Sequence, residues 1–173
     1  MNKKYLLSGL VVVILFQICV LGGEYLNAVY PLWTGQEIKL RIVPVDPRSP
    51  FRGNYLRLRY GISTIAKSEL GQIERPRNNE IIYISLQPGH DGFYEFAAAS
   101  LDIPQDRLFI RGRIQNPRWR KDVPEYTVFF GIEAWFASEE KVDALDKELR
   151  RNGVAVVVVA KNGKAALKNV YAE

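Results

Sequence analysis

The run VAVVVVAKNGKAALKNVY, residues 154–171, decides how the chain is read. Two apolar stretches flank Asn162-Gly163, and Asn-Gly between such runs is the strongest short-range sign of a two-residue hairpin. It predicts one strand over 154–161 and its antiparallel partner over 164–171. Working backwards, Gly153 closes the one convincing soluble helix. Ser138 caps that helix, Glu139 and Glu140 stand in its first turn, and Arg150 and Arg151 in its last. Val142, Leu145 and Leu149 supply its inner stripe.

Further strands are predicted over 126–136, 107–114, 93–100 and 80–87, each bounded by Gly, Pro or Asp. A short helix is expected over 64–71. Two alternating runs precede it. Residues 55–62 place Leu56, Leu58, Tyr60 and Ile62 opposite Tyr55, Arg57 and Arg59, and residues 37–45 place Ile38, Leu40 and Ile42 opposite Lys39 and Arg41. About eight strands and one or two short helices describe a mainly β (β-rich α+β) domain, a partly closed β-barrel or sandwich.

The amino-terminal stretch is different in kind. Between Lys4 and Glu24 lie the uncharged residues 5–23, rich in Leu, Val and Ile, with Gln17 the single strongly polar side chain. A helix of that length reaches about 28 Å, enough to cross a hydrocarbon core. A cleaved signal sequence has only a poor cleavage site near Val20 and Gly22, and Ile18 before Cys19 is too bulky for a lipoprotein signal. The expectation is a retained anchor over 1–33 and one extracytoplasmic β-rich domain over 34–173.

Lys3 and Lys4 precede the span and Glu24 follows it. The amino terminus should therefore be cytoplasmic and the domain periplasmic, on the outer side of a cytoplasmic membrane, which removes nucleic acid as a partner. Tyr25, Tyr30 and Trp33 have the rings expected at headgroup level, with the helix carried on from Glu24 until Pro31 stops it.

Composition narrows the chemistry. Cys19 is the only cysteine, so the domain has no disulfide and no thiolate zinc site. His90, the only histidine, sits in the turn-like Pro-Gly-His-Asp-Gly of residues 88–92, and a serine triad or His-based metal site lacks its parts. Lys3 and Lys4 are two of the 24 basic residues, leaving 22 against 19 acidic ones, a mild excess typical of a solvated surface.

Residues 43–60 read VPVDPRSPFRGNYLRLRY: strand, stiff turn, strand. Asp46 before Pro47 favours an Asx turn, Pro47 and Pro50 remove flexibility, and Gly53-Asn54 suits the corner. This stretch resembles the signature of the GDYXXLXY family of bacterial membrane-anchored proteins. The motif stands here as Gly53-Asn54-Tyr55-Leu56-Arg57-Leu58-Arg59-Tyr60, with a lead-in of residues 44–48 and Phe51-Arg52. Gly131-Ile132-Glu133 resembles a second, weaker family block. Asn54 stands where the family has Asp, keeping the shape and an acceptor but losing the charge, so the position reads as one that holds a turn. The residues themselves offer no cofactor site and no catalytic set; the resemblance assigns no activity and implies only a gene beside that of a multi-spanning membrane protein.

The candidate ligand or partner residues are Asp46, Arg48, Arg52, Asn54, Tyr55, Tyr60 and Glu133. Glu133 interrupts an apolar run, so it must point outward or be paired, and a pair with Arg48 or Arg52 would pin the motif loop to its strand. A basic surface patch runs through Arg107, Arg111 and Arg113 to Arg118, Trp119, Arg120 and Lys121, a solvated face or a contact for acidic headgroups.

Three classes of function follow. The expected one is a non-catalytic accessory module docked on a multi-spanning membrane protein. The alternatives are a tethered hydrolase resembling signal peptidase, for which Ser49 and Ser63 lack a matched lysine, and an envelope structural or headgroup-binding protein.

Overall fold

The computed structural model describes residues 3–43, 55–70, 76–115, 124–136, 149 and 152–173. It begins with one helix, α1 (Lys3–Thr34), the only described helix long and apolar enough to cross a membrane. Its described side chains are exposed almost throughout, and the domain meets α1 only toward its carboxy-terminal end, where Pro31 is buried.

Pro31 does not stop this helix; it sits buried in the last turn, and α1 runs on to Thr34. A proline removes one N–H donor, and so near the end the loss is a single bond. The Thr34 hydroxyl donates to the Tyr30 carbonyl (3.0 Å) and the Gly35 N–H to the Pro31 carbonyl (2.8 Å), closing the turn. The chain then enters β1 (Gln36–Arg41) with no linker.

The predicted carboxy-terminal hairpin is present as β9 (Gly153–Val159) and β10 (Ala165–Ala172), and β1 pairs with the other edge of β9. Its loop is the three residues 161–163 rather than Asn162-Gly163 alone, with the Gly163 N–H on the Ala160 carbonyl (2.8 Å) and Gly163 at φ +78°. Every residue of β9 is buried, which is why it reads as an unbroken Val-rich run rather than an alternating one. Ala155, Val157 and Val159 join the main core, and Val158 packs on the end of α1 at Gly35.

A five-stranded antiparallel sheet has the order β3 (Thr64–Ala66), β7 (Glu125–Phe129), β6 (Phe109–Gln115), β4 (Ile81–Pro88), β5 (Tyr94–Ser100). On β6 the alternation is regular, with Ile110, Gly112 and Ile114 buried and Arg111, Arg113 and Gln115 exposed. A two-stranded ribbon of β2 (Tyr55–Arg57) and β8 (Ala134–Phe136) completes the set. Bulges at Ala97 on β5 and Lys168 on β10 bend their strands, and the sheets curl into a half-barrel. Ile38, Leu40, Leu58, Ile65, Ile84 and Ile110 are almost fully buried inside it. The mainly β class with one amino-terminal apolar helix is therefore present, in the form of a partly closed barrel.

Three elements differ from expectation. The run over 55–62 is a strand only to Arg57 and then turns through a 3₁₀ segment, Gly61–Ser63. The expected helix over 64–71 is instead β3 followed by a 3₁₀ turn, Lys67–Leu70, because Ile65 lies in the core as a strand residue opposite Tyr126. The single strand over 126–136 is two, β7 and β8, broken at Gly131, where φ is +82°. The helix expected from Ser138 lies outside the described residues apart from Leu149, which is buried, and Asn152.

Candidate functional site

The motif strand and the Gly131-Ile132-Glu133 block face each other. Tyr55, Leu56 and Arg57 pair with Phe136, Trp135 and Ala134, and the Leu58 N–H continues the ladder to the Glu133 carbonyl (2.8 Å). On the other side the Arg59 carbonyl accepts the Val43 N–H (2.7 Å), and Tyr60 forms a bridge with Ile42. Alternation then sends Leu56, Leu58 and Tyr60 inward, and leaves Arg57 exposed and Arg59 half-buried.

Tyr60 is only 1% exposed, and its hydroxyl donates to the Ile132 carbonyl. Burial, and after it the nearby Glu133 carboxylate, push this phenol far above the ordinary tyrosine range. Glu133 folds back on its own turn, where its carboxylate accepts the N–H groups of Phe130 (2.5 Å) and Gly131 (2.9 Å). A carboxylate held by two backbone donors answers the question its sequence position raises. The two blocks thus form a clamp: the phenol holds one carbonyl of the turn, and the carboxylate holds two of its amides. A buried phenol bonded to a backbone carbonyl and a carboxylate bound by two amides suit holding a turn better than moving a proton.

Of the other candidates, Asp46, Arg48, Arg52 and Asn54 lie outside the described residues, so the expected pairing of Glu133 with Arg48 or Arg52 does too. The same holds for Arg118, Trp119, Arg120 and Lys121. Of Tyr55 the backbone is described, in β2.

Two concavities flank the clamp. A cleft of about 280 Å³ is lined by Arg57, Arg59, Ser63, Thr127 and Glu133, where Arg59 donates to the Thr64 hydroxyl (2.9 Å). A larger groove of about 720 Å³ lies between the outer face of β6 and β7 and the β9–β10 turn, with Arg111, Arg113, Phe129, Glu133 and Lys164 on its walls. Lys164 escaped the sequence reading. Its ammonium donates to both the carbonyl (2.6 Å) and the side-chain oxygen (2.9 Å) of Asn27 in α1. A lysine directly after an Asn-Gly turn carries no local sign of a partner 137 residues away.

At the far end of the sheets, His90 is an exposed turn residue, as expected. Beside it Asp91 binds Arg41, which stacks on Phe93 at 4.3 Å from the ring centre. The Arg41 hydrogen bond, and after it the Phe93 N–H, hold the Asp91 carboxyl below the ordinary range. Among the described residues no three His, Cys, Asp or Glu side chains gather as metal ligands.

A curled β half-barrel carried on one long apolar helix, with a Tyr/Glu clamp joining two sequence blocks, defines the class. The family model described as GDYXXLXY protein matches residues 17–170, and the chain belongs to that family. No curated protein and no solved structure matches it.

Proposed function

We propose that this chain is a single-pass protein of the bacterial cytoplasmic membrane, with its amino terminus inside and its β domain in the periplasm. The domain is a non-catalytic accessory module that docks on a multi-spanning membrane protein. The observation that carries this reading is the seating of the domain on its helix. α1 passes into β1 without a linker, Gly35 packs on Val158, and Lys164 bonds Asn27 a full two turns before the helix ends.

A tethered enzyme acting on diffusing substrates gains from reach. A module held at fixed height and angle instead presents one surface to a neighbour embedded in the same bilayer. The motif fits this division of labour, with Leu58 and Tyr60 turned into the core and Arg57 left on the surface. Lys3 and Lys4 before the span and Glu24 after it support the orientation.

The test is recovery of the tagged full-length protein from its own membranes in mild detergent, read by mass spectrometry. A stoichiometric multi-spanning partner, lost on Arg57→Glu, is the expected result. Recovery of the protein alone, in unchanged yield, would overturn the docking reading.

A further inference from the structure

The β9–β10 turn is the part of the domain that reaches back toward the bilayer. α1 ends at Thr34, yet Lys164 bonds Asn27, seven residues earlier, or about 10 Å back along the helix axis. Asn27 in turn stands four residues beyond Gly23, the last of the uncharged run, which is about 6 Å past the edge of the hydrocarbon. The polar layer on each side of a bilayer is about 5–7 Å deep. On that scale the Lys164 ammonium, and the end of the groove it lines, come to the outer part of the lipid headgroup layer.

That groove is basic. Arg111 and Arg113 stand two apart on the exposed face of β6, so both side chains project to the same side. The Arg111 N–H donates to the Gly163 carbonyl (2.8 Å), which sets Arg111 beside Lys164. Arg113 uses one guanidinium nitrogen on the Asn79 carbonyl (3.0 Å) and keeps its remaining donors. Glu133 is the acidic residue of the lining; its carboxylate keeps its charge but is turned onto the Phe130 and Gly131 N–H groups, and three basic side chains outnumber it. Two guanidinium groups, beside an ammonium that keeps its charge and one donor after bonding Asn27, match a phosphodiester, which an Arg can grip with two parallel bonds.

We infer that the groove between the β6–β7 outer face and the β9–β10 turn, bearing Arg111, Arg113 and Lys164, binds the phosphate-bearing headgroup of an anionic phospholipid in the surrounding membrane. A volume of about 720 Å³ accommodates a glycerophosphate headgroup with room to spare. Tyr25, exposed on α1 two residues or about 3 Å past Gly23, supplies an aromatic contact usual at that depth. Because the domain is seated on α1, the bound headgroup would fix the rotation of helix and domain together about the membrane normal. The inference rests on the anchoring half of the proposed function and not on the docking half.

The experiment uses the full-length protein in a neutral detergent, with lipid retention read by native mass spectrometry. The probes are phosphatidylglycerol, phosphatidylcholine and inorganic phosphate. One phosphatidylglycerol should be held at least about tenfold more tightly than phosphatidylcholine. Arg111→Gln with Arg113→Gln should abolish that preference, and Lys39→Gln, on the exposed face of β1, should leave it intact. Arg111→Lys with Arg113→Lys keeps the charge and loses only the forked grip, so it should keep part of the preference, which separates loss of a site from loss of fold.

Equal retention of the two lipids would overturn the assignment. So would a preference indifferent to the Gln pair, one lost equally in the Lys pair, or full displacement by an equal concentration of inorganic phosphate. Because the readout needs no partner, its failure is distinct from recovery of the protein alone in the pull-down.

Discussion

Lys164 donates to the backbone carbonyl of Asn27, the acceptor that Pro31 cannot serve. In an uninterrupted helix that carbonyl would take the N–H of residue 31, and proline has none. The side-chain oxygen of Asn27 accepts from the same ammonium. A local defect in the helix is thereby turned into a fixed point between helix and domain, and the fixed point lies on the turn of the hairpin that sets the sheet.

Replacing Lys164 with Met should loosen the end of α1 rather than unfold the domain. A hydrogen bond from a charged donor contributes about 1.5–3 kcal/mol, and partial exposure here brings that to about 1 kcal/mol. Amide hydrogen exchange over residues 28–34 should therefore speed up about fivefold, with the β4 and β6 amides unchanged. In a Pro31→Ala background, where an N–H is restored to Asn27, the same substitution should matter less. Equal effects in both backgrounds would show that the proline and the lysine are unrelated.

Which parts of this could be read from residues alone follows from how local their causes are. The β9–β10 hairpin was legible because both flanks are apolar and Gly163 takes the positive φ its loop needs, although the loop has three residues, 161–163, and not two. The helix running past Pro31 was not, since the group that offsets the proline comes from the other end of the chain. Residues 55–62 alternate so well that a full strand was expected, but alternation survives a turn when Tyr60 and Ile62 both still face the core. The anomaly of Glu133 was visible; the expected pairing with Arg48 or Arg52 lies outside the described residues, and the bonds from the Phe130 and Gly131 amides were not foreseen. The carboxylate needed a partner, and the nearest donors were the amides freed where Gly131 breaks the strand, a break that the apolar character of the run concealed.

Gly131 should resist substitution for a backbone reason alone. Its φ of +82° is a conformation that side-chain-bearing residues adopt at a cost of about 1–3 kcal/mol, and there is open space where a Cβ would stand. Gly131→Ala should lower the melting temperature by several degrees. Glu133→Ala, which strips two amides of their acceptor, should cost about as much. Because both act on one turn, the double variant should lose less than the sum of the two. Full additivity in thermal melts would mean that the carboxylate does not hold this turn.

The Arg41–Asp91 contact should be visible by acid titration. Hydrogen bonding from Arg41 lowers the Asp91 value below the ordinary 3.8, so the folded state binds this proton less readily than the unfolded chain. Any stabilisation it gives is present above about 3.8 and is lost as pH falls through the lowered folded value. The Asp91 carboxyl carbon, followed by NMR, should titrate below 3.8 in the native chain and return toward it in Arg41→Gln. A midpoint that stays put in that variant would assign the shift to the Phe93 amide instead.

Tyr60 makes the opposite prediction at the alkaline end. Burial first, and Glu133 second, raise its folded value above the ordinary 10.0, so the folded state holds this proton more tightly than the unfolded chain does. Its contribution is complete below pH 10 and disappears as pH climbs from there toward the folded value. Denaturant melts should therefore show stability falling steeply above about pH 10, with tyrosinate absorbance from this ring appearing only together with unfolding. Tyr60→Phe should cost about 1–3 kcal/mol at neutral pH, because the Ile132 carbonyl is left buried without its donor. It should also flatten the alkaline slope, since a phenyl ring has no proton to lose. A Tyr60→Phe chain as stable as the parent at pH 7, with the same alkaline slope, would mean that the phenol is not what closes the motif strand onto the Gly131–Glu133 turn.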